Sequence, residues 1–182
     1  MNLVHFLFLL CILLVTACNT EQVNSVGKEG AVATVEEPHL FEQNHPAELE
    51  LQAQAALTDF FQSLNQGMYE RAVELFGGSY DELFYFNPKM DMDSHDDLLK
   101  AGCELNGFIC LSTLSNVLVL VEDQQNFYFD VEFANPDGSL FVLGPCCGAT
   151  EEIMSPMSVF RIHVRCDDAG FCQVLDLPPY VP

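Results

Sequence analysis

Apolar residues recur at helical spacing between residues 46 and 76. In the first part of this stretch they fall three or four positions apart, on one face of a helix: Leu49, Ala53, Ala56, Leu57, Phe60 and Leu64. Gly67 follows the end of this helix and suits the left-handed conformation that closes many helices. A second apolar stripe over 69–76 predicts a shorter helix, which ends at Gly77-Gly78. Each helix has one apolar face, so both require another layer of structure to cover it.

The pattern changes to a period of two in the second half of the chain, which predicts β-strands. The predicted strands cover residues 114–121, 127–133, 140–143, 158–166 and 171–177. Asn135-Pro136-Asp137-Gly138 predicts a hairpin turn between the second and the third of them. Before the strands, residues 80–87 predict a helical turn, and a third helix is expected up to Cys103, capped by Asp93 or Ser94. Helices followed by an antiparallel meander predict an α+β fold.

The alternation in two of the strands predicts which side chains face the helices. The inward positions are apolar: Phe127, Phe129, Val131, Phe133, Phe160, Ile162 and Val164. The outward positions carry most of the charge: Tyr128, Asp130, Glu132, Arg161, His163 and Arg165. If the two strands are neighbours, we expect these outward side chains to form cross-strand pairs.

The N-terminal residues predict export and a lipid anchor. Residues 3–15 are almost wholly apolar, a length that is short for a membrane span and typical of a signal-peptide core. Val15-Thr16-Ala17-Cys18 resembles the lipobox of bacterial lipoproteins, which implies that residues 1–17 are removed and that Cys18 is lipidated. An ordinary cleaved signal or an uncleaved anchor is the alternative. Residues 18–45 are polar and acidic and predict a flexible tether, which leaves residues 46–182 as one folded domain.

The charge of the chain narrows the choice of partners. Its 6 Lys and Arg residues against 27 Asp and Glu residues give a formal net charge of −21. Such a surface disfavours nucleic acid and direct contact with an anionic bilayer. We therefore expect the protein to contact the extracytoplasmic face of the membrane through the lipid anchor.

The helical stretch also carries a family resemblance. Residues 60–67, Phe-Phe-Gln-Ser-Leu-Asn-Gln-Gly, followed by Tyr69 and Ala72, resemble the opening of the nuclear transport factor 2-like superfamily, in its lumazine-binding-like branch of bacterial lipoproteins. Met68 stands where that family commonly has Asp. The resemblance implies N-terminal helices packed on a curved antiparallel sheet, in a cone-shaped, cystatin-like fold. It also implies a pocket between helices and sheet, which in enzymes of the family holds an inward Asp, His or Tyr.

Six cysteines fall in the predicted domain, and an even number predicts disulfides in an exported protein. They are Cys103, Cys110, Cys146, Cys147, Cys166 and Cys172. Cys166 and Cys172 are the best candidates for a pair. A three-residue loop with Gly170 in a left-handed conformation would place them opposite each other on adjacent strands.

The other four cysteines leave alternatives open. Cys103 and Cys110 flank the turn Asn106-Gly107, where a local bridge would leave Cys146 and Cys147 to form a strained vicinal one. The four could equally pair across the two segments. A redox-active or soft-metal thiol pair at Cys146 and Cys147 is the functional alternative to a structural bridge.

No catalytic constellation stands out in the sequence. Asp59, Tyr80 and Asp81 are the candidates for the edge of a pocket, because the inward strand positions are Phe and aliphatic residues. Asp91 and Asp93 resemble the start of a calcium loop, but the Gly and the Glu that such a loop needs later are missing. We therefore expect no catalytic residue, no cofactor and no metal.

Two functional hypotheses of different class follow. In the first, the protein is a membrane-anchored extracytoplasmic lipoprotein whose non-catalytic domain binds a small apolar molecule or another envelope protein. In the second, the domain is a pocket enzyme of the isomerase or dehydratase type. Apolar inward positions favour the first, whereas convergence of Asp59, Tyr80 or Asp81 inside one cavity would favour the second.

Overall fold

The structure is a computed structural model that describes residues 46–181. The predictions for residues 1–17 and 18–45, including lipidation of Cys18, lie outside the described residues. The elements in chain order are α1 (Pro46–Asn65), α2 (Tyr69–Leu75), α3 (Asp81–Phe86), α4 (His95–Leu105), β1 (Thr113–Val121), β2 (Asn126–Phe133), β3 (Phe160–Cys166) and β4 (Cys172–Val174). The strands form one antiparallel sheet in the order β1-β2-β3-β4. The predicted α+β class is confirmed.

The turn between α1 and α2 forms as the sequence indicates. Gly67 adopts a φ of 71°, in the left-handed region that glycine enters without a Cβ clash. The N–H of Gly67 donates to the carbonyl of Leu64, and the N–H of Met68 donates to the carbonyl of Ser63. These two bonds make a Schellman motif, which satisfies carbonyls that the end of a helix leaves free.

Aromatic side chains fill the core between α1 and the strands. Phe60 and Phe61 are fully buried on α1, and the Phe61 ring lies edge-on to Phe133 of β2 with centroids 4.9 Å apart. The Phe60 ring stacks on Phe76, which follows α2, at 5.7 Å. The inward residues predicted for two strands are all buried: Phe127, Phe129, Val131, Phe133, Phe160, Ile162 and Val164. The predicted alternation of faces is therefore confirmed.

The predicted cross-strand pairs form on the other face of β2 and β3. Asp130 lies opposite Arg161, and an ion pair joins Asp130 Oδ1 to Arg161 Nε at 3.0 Å. The Tyr128 and His163 rings stack with centroids 4.4 Å apart. Glu132 instead accepts a hydrogen bond from Ser115 of β1 at 2.7 Å. The hypothesis that these strands are neighbours is confirmed.

Two local predictions were wrong. Residues 140–143 make no regular strand, because the chain pairs with Ala134 at Leu140 and already with Met157 at Leu143. A change of partner within three residues prevents a continuous ladder. At the start of α4, Ser94 forms no side-chain cap. Its φ of −85° and ψ of 71° lie outside the extended conformation from which a cap side chain reaches the first helical N–H groups.

Candidate functional site

Asp59 lies on the solvent side of α1 and is committed to an ion pair. Its Oδ2 atom accepts from Arg71 Nη2 at 2.6 Å, and both side chains are more than two-fifths exposed. Asp59 also borders an open cavity of about 470 Å³, whose other lining residues all belong to α1: Leu51, Gln54, Ala55, Thr58 and Gln62. An exposed carboxylate beside a guanidinium lacks the partly buried setting that a general base requires.

Tyr80 and Asp81 lie at the start of α3. The Tyr80 ring stacks on His95 with centroids 3.9 Å apart and meets Phe76 edge-on at 5.1 Å. Its hydroxyl is buried without a hydrogen-bond partner, and burial raises the pKa of Tyr80 to about 12. Asp81 is exposed, and its backbone N–H donates to Ser79 Oγ at 3.1 Å. Within residues 46–181 no hydrogen bond joins Asp59 to either of them.

Aromatic rings pack between α1 and the sheet, where the family resemblance implies a pocket. The Phe61–Phe133 and Phe133–Phe160 centroids lie 4.9 Å and 5.6 Å apart, which is ordinary aromatic packing. A larger open cavity of about 580 Å³ lies beside β3, and its lining includes Asp130, Arg161 and Asp176. These polar groups already bind protein atoms, since Asp130 pairs with Arg161 and Asp176 accepts from the His163 N–H at 2.7 Å.

Strand β1 presents an apolar surface that the sequence reasoning did not single out as a site. Its nine residues carry no charge. Five large apolar side chains on it are exposed, at between 39% and 61% of their area: Leu114, Val117, Val119, Leu120 and Val121. The register with β2 shifts twice, between Thr113 and Ser115 and between Leu118 and Leu120, so the strict alternation of faces is lost. The unbroken apolar run 117–121 is the signal that could have revealed this surface.

Polar bonds hold the inner side of β1 against α1. Asn116 lies opposite Val131, and its side chain accepts from Gln54 Nε2 at 2.8 Å and donates to Thr58 Oγ1 at 3.0 Å. The outer side of β1 is an edge of the sheet, and within residues 46–181 no further strand pairs with it. A nine-residue edge with exposed apolar side chains offers a row of backbone donors and acceptors to another polypeptide.

The opposite edge of the sheet is closed. Phe76 forms a parallel bridge to Val174 of β4, and the N–H of Gly77 donates to the Val174 carbonyl at 2.9 Å. The Gln173 side chain adds a hydrogen bond to the Glu74 carbonyl at 3.2 Å. The chain that leaves α2 thus occupies the edge that β4 would otherwise expose.

Two disulfides are present in the described part of the chain. Cys166 and Cys172 are bonded across β3 and β4, and Gly170 in the connecting loop has a φ of 84°, as predicted. Cys103 is bonded to Cys110, which is the local alternative for that segment. Cys146 and Cys147 are bonded neither to each other nor to these cysteines, and their Sγ atoms lie 3.0 Å apart.

Neither a metal site nor a membrane-spanning helix is found in the part of the chain that the structure describes. Among residues 46–181 no group of three His, Cys, Asp or Glu side chains is placed to hold a metal ion. In the same residues no helix combines the length and the apolar character that crossing a membrane requires. Comparison of the chain with protein-family models, with curated proteins and with solved structures finds no match in any of the three.

Proposed function

We propose that the protein is a membrane-anchored extracytoplasmic bacterial lipoprotein whose domain binds another polypeptide without catalysis. The lipobox-like Val15-Thr16-Ala17-Cys18 and the acidic tether of residues 18–45 support the anchor. The bonds Cys103–Cys110 and Cys166–Cys172 suit an oxidising compartment outside the cytoplasm. The exposed apolar edge of β1 is the observation that carries the binding function.

A polypeptide partner fits this edge better than a small apolar ligand does. Phenylalanine rings pack where α1 meets the sheet, so an apolar molecule bound between Phe61 and Phe133 would have to displace well-packed side chains. A strand added beside β1 would bond to the outer backbone groups, which no strand of residues 46–181 pairs with, and would cover Val117 and Leu120 at the same time. The partner segment is therefore an extended one.

Charge indicates the chemistry of that segment. Glu122 and Asp123 directly follow β1, and Glu132 lies beside it on the neighbouring strand, within a chain of net charge −21. An apolar segment that carries basic residues complements this edge, whereas an acidic one is repelled. The same net charge opposes the approach of a second copy of this chain. The partner is thus a different protein with an apolar, basic strand.

The fold family remains part of the same proposal. The helix–Gly67–helix opening and the contact between Phe61 and Phe133 support a cone-shaped, cystatin-like arrangement of the nuclear transport factor 2-like type. The enzyme alternative requires Asp59, Tyr80 and Asp81 around one cavity. No observation within the described residues brings these three together, so the structure favours the binding function.

Thiol labelling at β1 tests the binding function without knowledge of the partner. Val117→Cys and Val142→Cys are a matched pair, because both valines are about half exposed and only Val117 lies on β1. Both changes are made in a chain with Cys146→Ser and Cys147→Ser, and the label is located by peptide mass spectrometry, so that any reaction at Cys11 or Cys18 is not counted. A membrane-impermeant maleimide is applied to the purified full chain and to cells made permeable at their outer surface.

The proposal predicts that the thiol at position 117 reacts about tenfold more slowly in cells than in the purified chain. The thiol at position 142 should react equally in both. Equal labelling at position 117 in both settings would overturn the proposal. Protection in the purified chain that grows with concentration would assign the edge to a second copy. Protection there at every concentration would assign it to this chain's own residues.

A separate variant tests the anchor. Cys18→Ser removes the thiol that a lipobox lipidates. We expect it to abolish incorporation of labelled palmitate and to move the protein from the membrane fraction to the soluble one. Unchanged palmitate incorporation or unchanged membrane association would contradict the anchor while leaving the labelling test at β1 valid.

A further inference from the structure

Cys146 and Cys147 form a pair of thiols in the loop between Leu143 and Met157, with Cys146 half-buried and Cys147 exposed. The loop is closed at its base by two hydrogen bonds between Leu143 and Met157, at 2.8 Å and 2.9 Å. The Sγ atoms of the two cysteines lie 3.0 Å apart, and the Cys147 side chain is exposed. The other four cysteines of the described residues are consumed in disulfides. This pair is therefore the remaining thiol chemistry of residues 46–181.

The backbone holds the two thiols together in an unfavourable conformation. Cys147 has a φ of 59° and is the sole non-glycine residue among those described with a positive φ. Gly148 follows with a φ of 85°, and the N–H of Ala149 donates to the Cys146 carbonyl at 2.9 Å. These values define a type I′ turn, in which Asn, Asp or Gly is the usual first central residue. A cysteine there carries backbone strain of the kind that concentrates at functional sites.

We propose that Cys146 and Cys147 are a surface dithiol that reduces disulfides and becomes a vicinal disulfide. The Cys147 thiolate attacks one sulfur of an external disulfide, forms a mixed disulfide and releases the other sulfur as a thiolate, which takes up a proton. The Cys146 thiol then loses its proton and attacks Cys147 Sγ. The Cys146–Cys147 bond forms, and the second thiol leaves. Two electrons and two protons pass to the external disulfide.

The roles of the two thiols follow from their surroundings. Cys147 is the more exposed, so it meets the external disulfide first. The hydrogen bond with Cys147, and then burial, raise the pKa of Cys146, which lowers the fraction of Cys146 present as the nucleophilic thiolate. Neighbouring residues have Cα atoms only about 3.8 Å apart, below the usual span of a disulfide, so the product bond is strained and readily reduced again. The dithiol is therefore converted fully to the vicinal disulfide only when the external disulfide is in excess.

The charge around the loop selects the substrate. The exposed carboxylates of Glu151 and Glu152 follow the turn, in a strongly acidic chain. A cationic disulfide is attracted to this surface, and an anionic one is repelled. Among residues 46–181 no third ligand lies with these two thiols, and two thiolates alone make a poor site for zinc, which takes four ligands. Redox exchange with a cationic disulfide is thus the chemistry that the pair fits best.

The test uses the full chain, reduced under conditions that leave the Cys103–Cys110 and Cys166–Cys172 bonds intact. It is treated with cystamine or with oxidised glutathione, alkylated and analysed by mass spectrometry. With cystamine we expect the pair to lose two hydrogen atoms and both alkylation sites, without a retained adduct. The exchange should be about tenfold faster with cystamine than with oxidised glutathione at low salt, and the difference should shrink as salt is added.

Two variants distinguish the roles of the thiols. Cys146→Ser should keep a stable cysteamine adduct on Cys147, because the second step has lost its nucleophile. Cys147→Ser should slow the first exchange about tenfold, because the less exposed thiol must attack. Adducts retained on both cysteines of the unmodified sequence would overturn the proposal. A pair that reacts no faster than free cysteine, or that is purified with a soft metal bound, would do the same.

Discussion

The two edges of the sheet face the same physical problem and differ in how it is met. An edge strand presents backbone N–H and C=O groups that form no hydrogen bonds to a neighbouring strand. β4 is a strand of three residues, and its outer side is occupied by Phe76 and Gly77, which follow α2. At β1, a strand of nine uncharged residues, nothing within residues 46–181 occupies the outer side.

Whether an edge strand is covered depends on which segments, distant in the sequence, lie beside it in the fold. Val174 on β4 is fully buried, and Val117 on β1 is 61% exposed, although both are valines on edge strands. Phe76 lies almost a hundred residues before Val174 in the chain, yet it determines that β4 is closed. An edge that the fold leaves open and apolar is available to a partner.

Replacing Phe76 with Ala should have the largest effect on stability. Phe76 is 4% exposed, and its ring packs on Phe60 and Tyr80 at the closed edge. The cavity left by Phe76→Ala should lower the free energy of unfolding by about 3–5 kcal/mol, measured by denaturant titration. Val117→Ala at the open edge should change it by no more than about 0.5 kcal/mol. Equal losses at the two positions would contradict the difference between the closed and the open edge.

Removing the disulfide of the closed edge should have the next largest effect. Cys166→Ala with Cys172→Ala should lower the free energy of unfolding by about 2–3 kcal/mol, because a short loop of the unfolded chain is no longer constrained. The backbone amides of β4 should also exchange faster with deuterium. The matched control is Cys103→Ala with Cys110→Ala, which removes the other bridge. If that control accelerates β4 exchange equally, the bridge is not specific to the edge.

Asn116→Ala measures how much the face of β1 that contacts α1 contributes to stability. The change leaves Gln54 and Thr58 without the partner that joins α1 to β1. We expect a loss of about 1–2 kcal/mol in the free energy of unfolding. Ser115→Ala, the next residue on the opposite face, removes one bond to Glu132 and should cost about 0.5 kcal/mol or less. A larger loss at Ser115 would mean that the face of β1 turned away from α1 contributes more to stability than the face that contacts α1.

Tyr80→Phe should have the smallest effect at neutral pH and should be stabilising. It removes a buried hydroxyl without a partner beside Phe76, for a gain of about 1 kcal/mol. The pKa of Tyr80 is raised to about 12 by burial. Between pH 10 and 12 the unfolded chain therefore loses this proton first, and the folded state loses stability as the pH rises. Tyr80→Phe should reduce that alkaline loss.

Thermal unfolding between pH 8 and 11 measures this effect. Tyr85→Phe is the control, because Tyr85 is 79% exposed and gives up no buried hydroxyl. An alkaline slope that is the same for Tyr80→Phe and the unmodified chain would show that Tyr80 does not cause it.

The sequence predicts the parts of the fold that local patterns determine. The alternation in residues 127–133 and 160–166 assigns the buried faces of β2 and β3, and Gly170 identifies the loop that joins Cys166 to Cys172. In each case the deciding interaction lies within one strand or one turn. Residue type alone indicates Asp59, Tyr80 and Asp81, whereas the surroundings of Asp59 and Tyr80 depend on contacts with Arg71 and His95.

The rest depends on contacts that no local pattern reports. Residues 140–143 have the composition of a strand, but their partner changes from Ala134 to Met157 and the ladder fails. The register shifts of β1, which bring its apolar side chains to the surface, arise from pairing with β2. The turn at Cys147 likewise follows from backbone geometry that a Cys-Cys-Gly sequence does not specify.

Hydrogen exchange of the β1 backbone is a direct test of partner binding at this edge, because an added strand must bond to those amides. The full chain is measured in membranes isolated from the cells that make it and again after purification. We predict that β1 amides exchange about tenfold more slowly in the membranes, while those of β2 exchange at the same rate in both. Identical exchange of the β1 amides in the two samples would contradict the addition of a partner strand to β1.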